Sequence, residues 1–404
     1  MDAEAYRGYG LESLAAAYDV VLISPAEPTW ELPFIIDFEI ADPADPAALP
    51  AAGRALAARH EIAGVMTWTE WYLVPVARLA RRLGLLADTQ EVMTACRDKA
   101  LARAAFARHG VPSAASTSVT TAAAAATAAE QIGYPVVLKP AARAGSSGVV
   151  RVDGPADLAR EYSTAAAAAI HGVESNRVLV EEYLAGPEVS AECVTHRGVT
   201  AVVAVTRKTL GPAPFFEEVA HVVDAADPLL PTVAPVAAAA VEALGITTGV
   251  SHVEMRLVNG QPRLIEVNAR VAGDLIGHLV QLATGVDLVR AAADVACGRA
   301  PRLAPTRRGV AGVRFLYPPR PARVRAITID PDVLAEPWCE RIVAEQLPGA
   351  VVAPPPDGGL DDRLAHIVVT AATPVRYTHY AEQALLGVCT DLEPITPTAS
   401  GGTR

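Results

Sequence analysis

Aromatic residues are scarce in this chain of 404 residues, at 5%. Hydrophobic residues nevertheless reach 51%, so the core must be built from Val, Leu and Ala. Positive charge is also short: 34 Lys and Arg face 45 Asp and Glu, a net charge of -11. That balance argues against a general binder of nucleic acid or anionic membrane. It leaves room for a phosphorylated small molecule held by local charge or by metal. The five cysteines, Cys96, Cys193, Cys297, Cys339 and Cys389, are scattered without a CxxC pair, so neither a zinc site nor a disulfide framework is expected. No apolar run reaches the roughly 18 residues of a membrane span. The opening MDAEAYRGYG lacks a basic stretch leading into an apolar one. A soluble cytoplasmic protein is expected.

What is present reads as two or three domains. The first ninety-odd residues look α/β. YDVVLIS reads as a buried strand, 47–59 as a helix, AGVMTW as a strand and 71–84 as a helix, an alternation that predicts a parallel sheet. From Thr94, TACRDKALARAAFARHGV reads as one helix closed by Gly110, and TTAAAAATAAEQIG as a second with the same glycine stop. Strand PVVLKP, loop AARAGSSG and strand VVRV follow, then a helix with Pro155 in its first turn. Strand RVLVEEYL leads to a hairpin turning at Arg197–Gly198. A helix over 232–244 precedes a second hairpin, 250–270, turning near Asn259–Gly260. From Pro305 the chain is Pro-rich and β-like, and the final TPTASGGTR is expected to be disordered.

The second hairpin holds the most informative stretch, LIEVNARVAGD. Strand side chains alternate, so Ile265, Val267 and Ala269 point one way and Glu266, Asn268 and Arg270 the other. With Glu254 on the facing arm, two carboxylates and an amide oxygen offer hard ligands suited to Mg2+. The same residues would equally suit the solvated face of an amphipathic sheet. There is also a tension of register. A two-residue turn pairs 254 with 265, which places Glu254 and Glu266 on opposite faces. A shared metal needs one extra residue, as a three-residue loop Asn259–Gln261 or as a bulge, and that extra residue is predicted.

Two further segments can serve a nucleotide. In VLKPAARAGSSGVVRV, Lys139 ends a strand before a loop of small residues whose backbone N–H groups can approach phosphate oxygens. It is neither a GxxxxGK[ST] loop nor a GxGxxG turn, and alone it would pass for a plain hairpin. In LVEEYLAGPEVS the backbone can read an adenine edge and Glu188 can hold ribose hydroxyls; alone it would pass for a charged hinge.

In order along the chain, Lys99 on a helix, Lys139 before a small-residue loop, an EEYL…E hinge and HVEMRL…LIEVNAR resemble the ATP-grasp superfamily over residues about 94–300. The stretches WTEWYLVPVARLARRLGL, TRKTLGPAPFFEEVAHVV, LIEVNARVAGDLIGHLVQLATGVDL and GVRFLYP are most similar to bacterial L-amino-acid ligases and extend the resemblance to most of the chain. The resemblance implies a mixed α/β and α+β ATP-grasp fold. Its parts would be a Rossmann-like N-terminal domain (1–93), an ATP-grasp domain (94–304) with a lid subdomain at about 112–186 and a central antiparallel sheet, a β-rich C-terminal part (305–395) and the tail 396–404.

It also implies roles. Lys99 and Lys139 would contact ATP phosphates beneath a lid loop of Ser146, Ser147 and Gly148. Glu181, Tyr183 and Leu184 would frame adenine, and Glu188 the ribose. Glu254, Glu266 and Asn268 would bind two Mg2+ ions, with Mn2+ as a substitute, and Arg270 would face the reacting carboxyl group. Glu70 would meet a substrate ammonium, though an acid at a helix N-terminus also suits the macrodipole. Glu218, or Glu217 if the alignment slips by one, would sit with His221 at the second substrate site, and Gly273 would approach the carboxyl-binding site. The expected activity is ADP-forming ligation of two amino acids through an acyl phosphate, at an α- or a side-chain carboxyl, in a homodimer. The alternatives are a carboxylase activating bicarbonate, disfavoured because VAGDLIG stands where such enzymes carry a glutamine–glutamate pair, and a nucleotide-binding protein without catalysis. The two amino acids are not legible.

Overall fold

Strand alternation decides where the charged residues of this chain go. A computed structural model describes residues 4–211, 216–354 and 357–395. The tail 396–404, expected to be disordered, lies outside the described residues, as do residues 212–215 of the stretch TRKTLGPAPFFEEVAHVV. The largest sheet is antiparallel and eight-stranded. Its order is Gln261–Asn268, Gly249–Val258, Glu188–His196, Val199–Leu210, Glu218–Asp224, Val310–Leu316, Ala365–Ala371 and Cys339–Ala344. In its first strands Val189, Ala191, Cys193, Val205, Val253 and Met255 enter the core, covered by Val233, Ala237, Ala240 and Val241 of helix Leu230–Ala243. The alternate residues Glu188, Glu192, Lys208, His252, Glu254 and Arg256 are thereby forced onto the opposite face.

Both hairpins turn where expected. Asn259 (φ +50) and Gly260 (φ +78) form a two-residue turn in the left-handed region that asparagine and glycine tolerate. The register runs from Val258 opposite Gln261 to Met255 opposite Leu264, then jumps so that Glu254 faces Glu266. The extra residue is therefore a bulge at Ile265, not a longer loop. Its effect is visible in burial: Leu264 and Val267, three apart, both enter the core. A regular strand would have put Glu266 on Leu264's side. The alternation expected for Ile265 fails here. Displaced into the bulge, it lines the same cavity as Glu266.

A second antiparallel sheet has the order Ser116–Val119, Val178–Glu182, Val136–Pro140 and Val150–Val152. Helices Ala122–Ile132 and Pro155–Ala169 cover one face, where Ala125, Ala129, Ala165 and Ala169 are wholly buried against Val136, Leu138, Val178 and Val180. Alanine lets helix and sheet approach closely, which is the use the chain makes of its commonest small residue. Lys139 and Glu181 alternate onto the other face.

Three expectations need correction. TACRDKALARAAFARHGV is not one helix but two, Gln90–Arg97 and Lys99–His109. The break is Asp98, whose extended backbone (φ -100, ψ 105) and side chain, accepting from the N–H groups of Ala100 and Leu101, start the second helix. Among the described residues AGVMTW makes no ladder, and the parallel ladder of the N-terminal region is Val21–Ser24 with Asp37–Ile40. That segment is instead held by Met66 and Trp68 packing against the core and by Gly64 lying on the Ala296 carbonyl. YDVVLIS, expected buried, is half-buried because its sheet has only two strands. Farther on, the C-terminal region adds three strands to the eight-stranded sheet and forms a three-stranded sheet of its own, Val351–Val352, Ala322–Ile329 and Val388–Pro394. Among the described residues no helix is long and apolar enough to cross a membrane.

The two sheets meet through the hinge at Gly186 (φ +150), where an added Cβ would lie 2.1 Å from the Leu257 carbonyl oxygen. Gly186→Ala should therefore lower stability by about 1–3 kcal/mol, read as a lower guanidinium midpoint. An unchanged midpoint would show that the hinge yields freely.

Candidate active site

A cavity of about 550 Å³ is lined by the polar faces of the two sheets, with Trp68–Trp71, Leu360 and Asp361 also in its wall. It is lined by all eighteen candidate site residues named from the sequence, Glu217 included, except Gly148 and His221. Gly148 (φ +73) sits behind the loop, where a Cβ would lie 2.5 Å from that of Ala168. His221 is fully buried and reaches the site only through its partners Glu218 (3.2 Å) and Asp274 (3.5 Å).

The two sequence-flagged lysines come together from different elements. Lys99, at the start of its helix, donates to the Arg143 carbonyl of the loop after Lys139 (2.6 Å) and pairs with Glu266 (2.9 Å). Lys139 pairs with Glu181 at 2.6 Å. Burial depresses the Lys139 pKa, against the pull of Glu181 and with the push of Arg103 and Lys99. Glu181, expected beside adenine, has both carboxylate oxygens engaged: Arg103 donates to both and Lys139 to one. It is an anchor for cations. Arg103 also donates to the Ile265 carbonyl at 2.7 Å, so it grips the bulge itself.

The hinge is held the same way. Arg256 donates to the Glu188 carboxylate (3.1 Å), the Leu184 carbonyl (3.2 Å) and the Tyr183 hydroxyl (3.4 Å). Arg151 and Arg256 lie 4.3 and 5.5 Å from the Tyr183 ring. The loop's Ser146 (φ +54) donates to the Phe216 carbonyl at 3.3 Å. Ser147 lines the cavity beside it, and Gly273 lines it near Arg270.

On the larger sheet, Glu254 and Glu266 stand face to face. Lys208 bridges Glu254 (2.8 Å) and Glu218 (2.5 Å). Burial would press the Lys208 ammonium down, but Glu218, Glu254 and Glu188 hold it well above its ordinary range. His252 joins Glu192 (2.9 Å) to Glu254 (3.0 Å). Despite burial, Glu192 lifts the imidazole to about 9. The same cations hold Glu254 well below the carboxylate range, against the cost of burial. One end of the Asn268 amide lies 3.2 Å from Glu266 Oε1 and 3.3 Å from Glu70 Oε2. With nitrogen at that end it donates to both. With oxygen there, three oxygens converge, an arrangement that only a cation stabilises. Glu254, Glu266 and Asn268 thus fit a hard divalent cation. Glu218, His221 and Asp274 also bring ligand atoms within 4.8 Å of one another. Lys208 already sits on Glu218, however, and Arg363 donates to both oxygens of Asp274 (2.8 and 2.9 Å), so that cluster is a closed charge network.

Glu70 is buried between Arg97 (2.9 Å) and Arg270 (2.5 Å), one on each oxygen. Its geometry orients Arg270 and leaves neither oxygen to an ammonium alone. Sequence reading missed Arg97, Arg103, Lys208, His252, Arg256, Asp274 and Arg363. The alternating positions HVEMR and TRK do carry a signal for His252, Arg256 and Lys208. The rest pair across 27 to 89 residues and leave no local pattern.

The chain matches the ATP-grasp domain over residues 132–278 and the L-amino acid ligase C-terminal domain 2 over residues 314–393. It is 29% identical over 313 residues to the uncharacterized protein y4rH of Sinorhizobium fredii, covering 77% of this chain and 64% of that one. Over 276 residues it is 29% identical to alanine–anticapsin ligase of Bacillus subtilis, covering 60% and 55%. The chain therefore spans between half and two thirds of the length of these curated relatives. In fold it is similar to the L-amino acid ligase from Bacillus licheniformis, with a TM-score of 0.82, 22% identity and 96% of each chain covered.

Despite burial, Arg103 and Lys139 lower the Glu181 carboxyl to about 2. A depressed folded pKa contributes stability that is complete above the unfolded value of about 4.5 and is lost as pH falls through about 2. Denaturant melts between pH 5 and pH 2 should show a loss on the order of 3 kcal/mol from this group. The loss should be absent in Glu181→Gln; an equal slope in the variant would assign the acid lability elsewhere.

Proposed function

We propose that this chain, which carries an ATP-grasp domain followed by an L-amino acid ligase C-terminal domain, is an ATP-dependent, ADP-forming ligase joining the carboxyl group of one amino acid to the amine of another. The observation that carries this reading is the bulge at Ile265. It sets Glu254 against Glu266, with Asn268 next on that face and Arg270 just beyond the strand, in one cavity with Lys99 and Lys139.

A carboxylate is a poor acyl donor because its leaving group would be oxide. In the proposed reaction a carboxylate oxygen attacks the γ-phosphorus of ATP, ADP departs, and the acyl phosphate now carries a good leaving group. The amine then attacks the acyl carbon and phosphate leaves. Such phosphoryl transfer rests on positioning and charge neutralisation. Lys99 and Lys139 supply fixed positive charge. Tyr183, Leu184 and Glu188 form the wall for the nucleoside. Glu254, Glu266 and Asn268 would hold divalent cations, proposed as two Mg2+ with Mn2+ able to substitute, which when bound would neutralise charge on the phosphate oxygens. Arg270, fixed by Glu70, faces the developing oxyanion. Residues 143–147 of the loop line the cavity, where closure of the loop would keep water from the acyl phosphate.

The test is ADP release across pairs of amino acids, with mass detection of the product. Turnover that requires an amino-acid pair supports the reading, bicarbonate-dependent turnover would replace it with a carboxylase, and nucleotide binding without turnover would end it. Glu266→Gln should lower turnover by at least about 10–100-fold, the range that even outer partners of a metal command; near-normal rates would remove Glu266 from the cation site. Arg270→Ala should lose about 10²–10³ in ligation with ATP affinity retained, and a loss confined to ATP binding would relocate Arg270 to the nucleotide.

A further inference from the structure

The cavity's carboxylates can be sorted by their partners. Among the described residues, each non-exposed carboxylate lining it has a lysine or arginine in ion-pair contact, with one exception. The exception is Glu217. Its one hydrogen bond among the described residues is accepted at Oε1 from the Tyr317 hydroxyl at 2.9 Å. The direction of that bond is fixed from behind. The guanidinium of Arg363, which can only donate, gives Nε–H to the Tyr317 oxygen at 2.8 Å, so the phenolic proton must go to Glu217. Arg363 is fully buried and clamped on Asp274, so the arrangement is rigid. Among the described residues Oε2 has no partner, in a cavity whose other non-exposed carboxylates are paired with cations.

Resting on the ligase reading above, we propose that Glu217 receives the ammonium group of the incoming amino acid and takes its proton as the amide bond forms. An ammonium has no lone pair and cannot attack. It gives one proton to Glu217, and the freed lone pair forms the N–C bond to the acyl carbon. The C–O bond to phosphate then breaks, its electron pair leaving on the phosphate. The phosphate carries off the second proton as the nitrogen becomes an amide.

The surroundings suit a proton acceptor. Burial raises the Glu217 carboxyl above its ordinary value. Tyr317 and Arg363 act in the lowering direction, and the nearby charges of Asp274 and Glu218 in the raising one. Glu218, the neighbour in sequence, suits the task less, because Lys208 and His221 already hold it and lower its pKa against burial.

Hydroxylamine separates the two halves of the reaction, because it is uncharged at neutral pH and traps an acyl phosphate as a hydroxamate without needing a base. In Glu217→Gln, dipeptide formation should fall by about 10²–10⁴-fold, while ATP-dependent hydroxamate formation stays within about twofold of the unmodified protein. Equal dipeptide rates, or a parallel fall of both products, would overturn the proposal. If the variant fails to fold, Tyr317→Phe, which keeps the ring, decides by the same split. Absence of hydroxamate from the unmodified protein with every amino acid tried would instead remove the ligase reading, and this proposal with it.

Discussion

One inserted residue governs the chemistry this chain can carry. Without the bulge at Ile265, the tight Asn259–Gly260 turn would send Glu254 and Glu266 to opposite faces. One carboxylate would then be buried against Val233 and Val241 with no partner, at a cost that no nearby packing offsets. With the bulge, Leu264 and Val267 both keep their places in the core and the acids share the cavity. The protein fastens this irregularity from outside the hairpin. Arg103, on a helix more than 150 residues earlier in the chain, donates to the Ile265 carbonyl that the bulge leaves outside the ladder.

The second organising constraint is charge. Ten carboxylates line the cavity. Side by side in a low dielectric they would repel strongly, and burial alone would neutralise them. The fold offsets this by setting cations beside them: Lys208 between Glu218 and Glu254, His252 on Glu254, Arg97 and Arg270 on either side of Glu70. Such a lattice is pre-organised rather than merely satisfied. On the proposed reading, the cations that neutralise the acids here occupy positions a nucleotide's metal ions and phosphates would contest. Ligand arrival on the proposed reading is therefore an exchange of partners, in which Lys99 and Lys208 can turn from glutamate to phosphate.

Much of this was legible in the sequence where the cause is local. The hairpin turns were readable because Arg197–Gly198 and Asn259–Gly260 tolerate positive φ, and the bulge because the turn and the acids could not otherwise be reconciled. The break at Asp98 was missed, since Asp98 sits in an otherwise unbroken helical pattern and its capping geometry shows only in three dimensions. AGVMTW reads as a strand because it is apolar and β-branched in part, but strand formation needs a neighbour, and among the described residues none pairs with it. The arginines that hold Glu181 and Asp274 were invisible for another reason. A cation's partner is set by topology, and the sequence offers many glutamates at comparable distance.

Arg363 sits on a C-terminal segment yet donates to Tyr317, to Tyr6 and to both oxygens of Asp274, four residues beyond Arg270. The C-terminal region is thus not an appendage that could be exchanged freely between relatives. A chimera grafting a foreign C-terminal portion onto this chain would leave the acid at position 274 with only His221 beside it unless the graft also supplied an arginine at the matching place. Recombination among such proteins should accordingly be tolerated only when both halves of that pairing travel together, and drift at one position should be answered by change at the other.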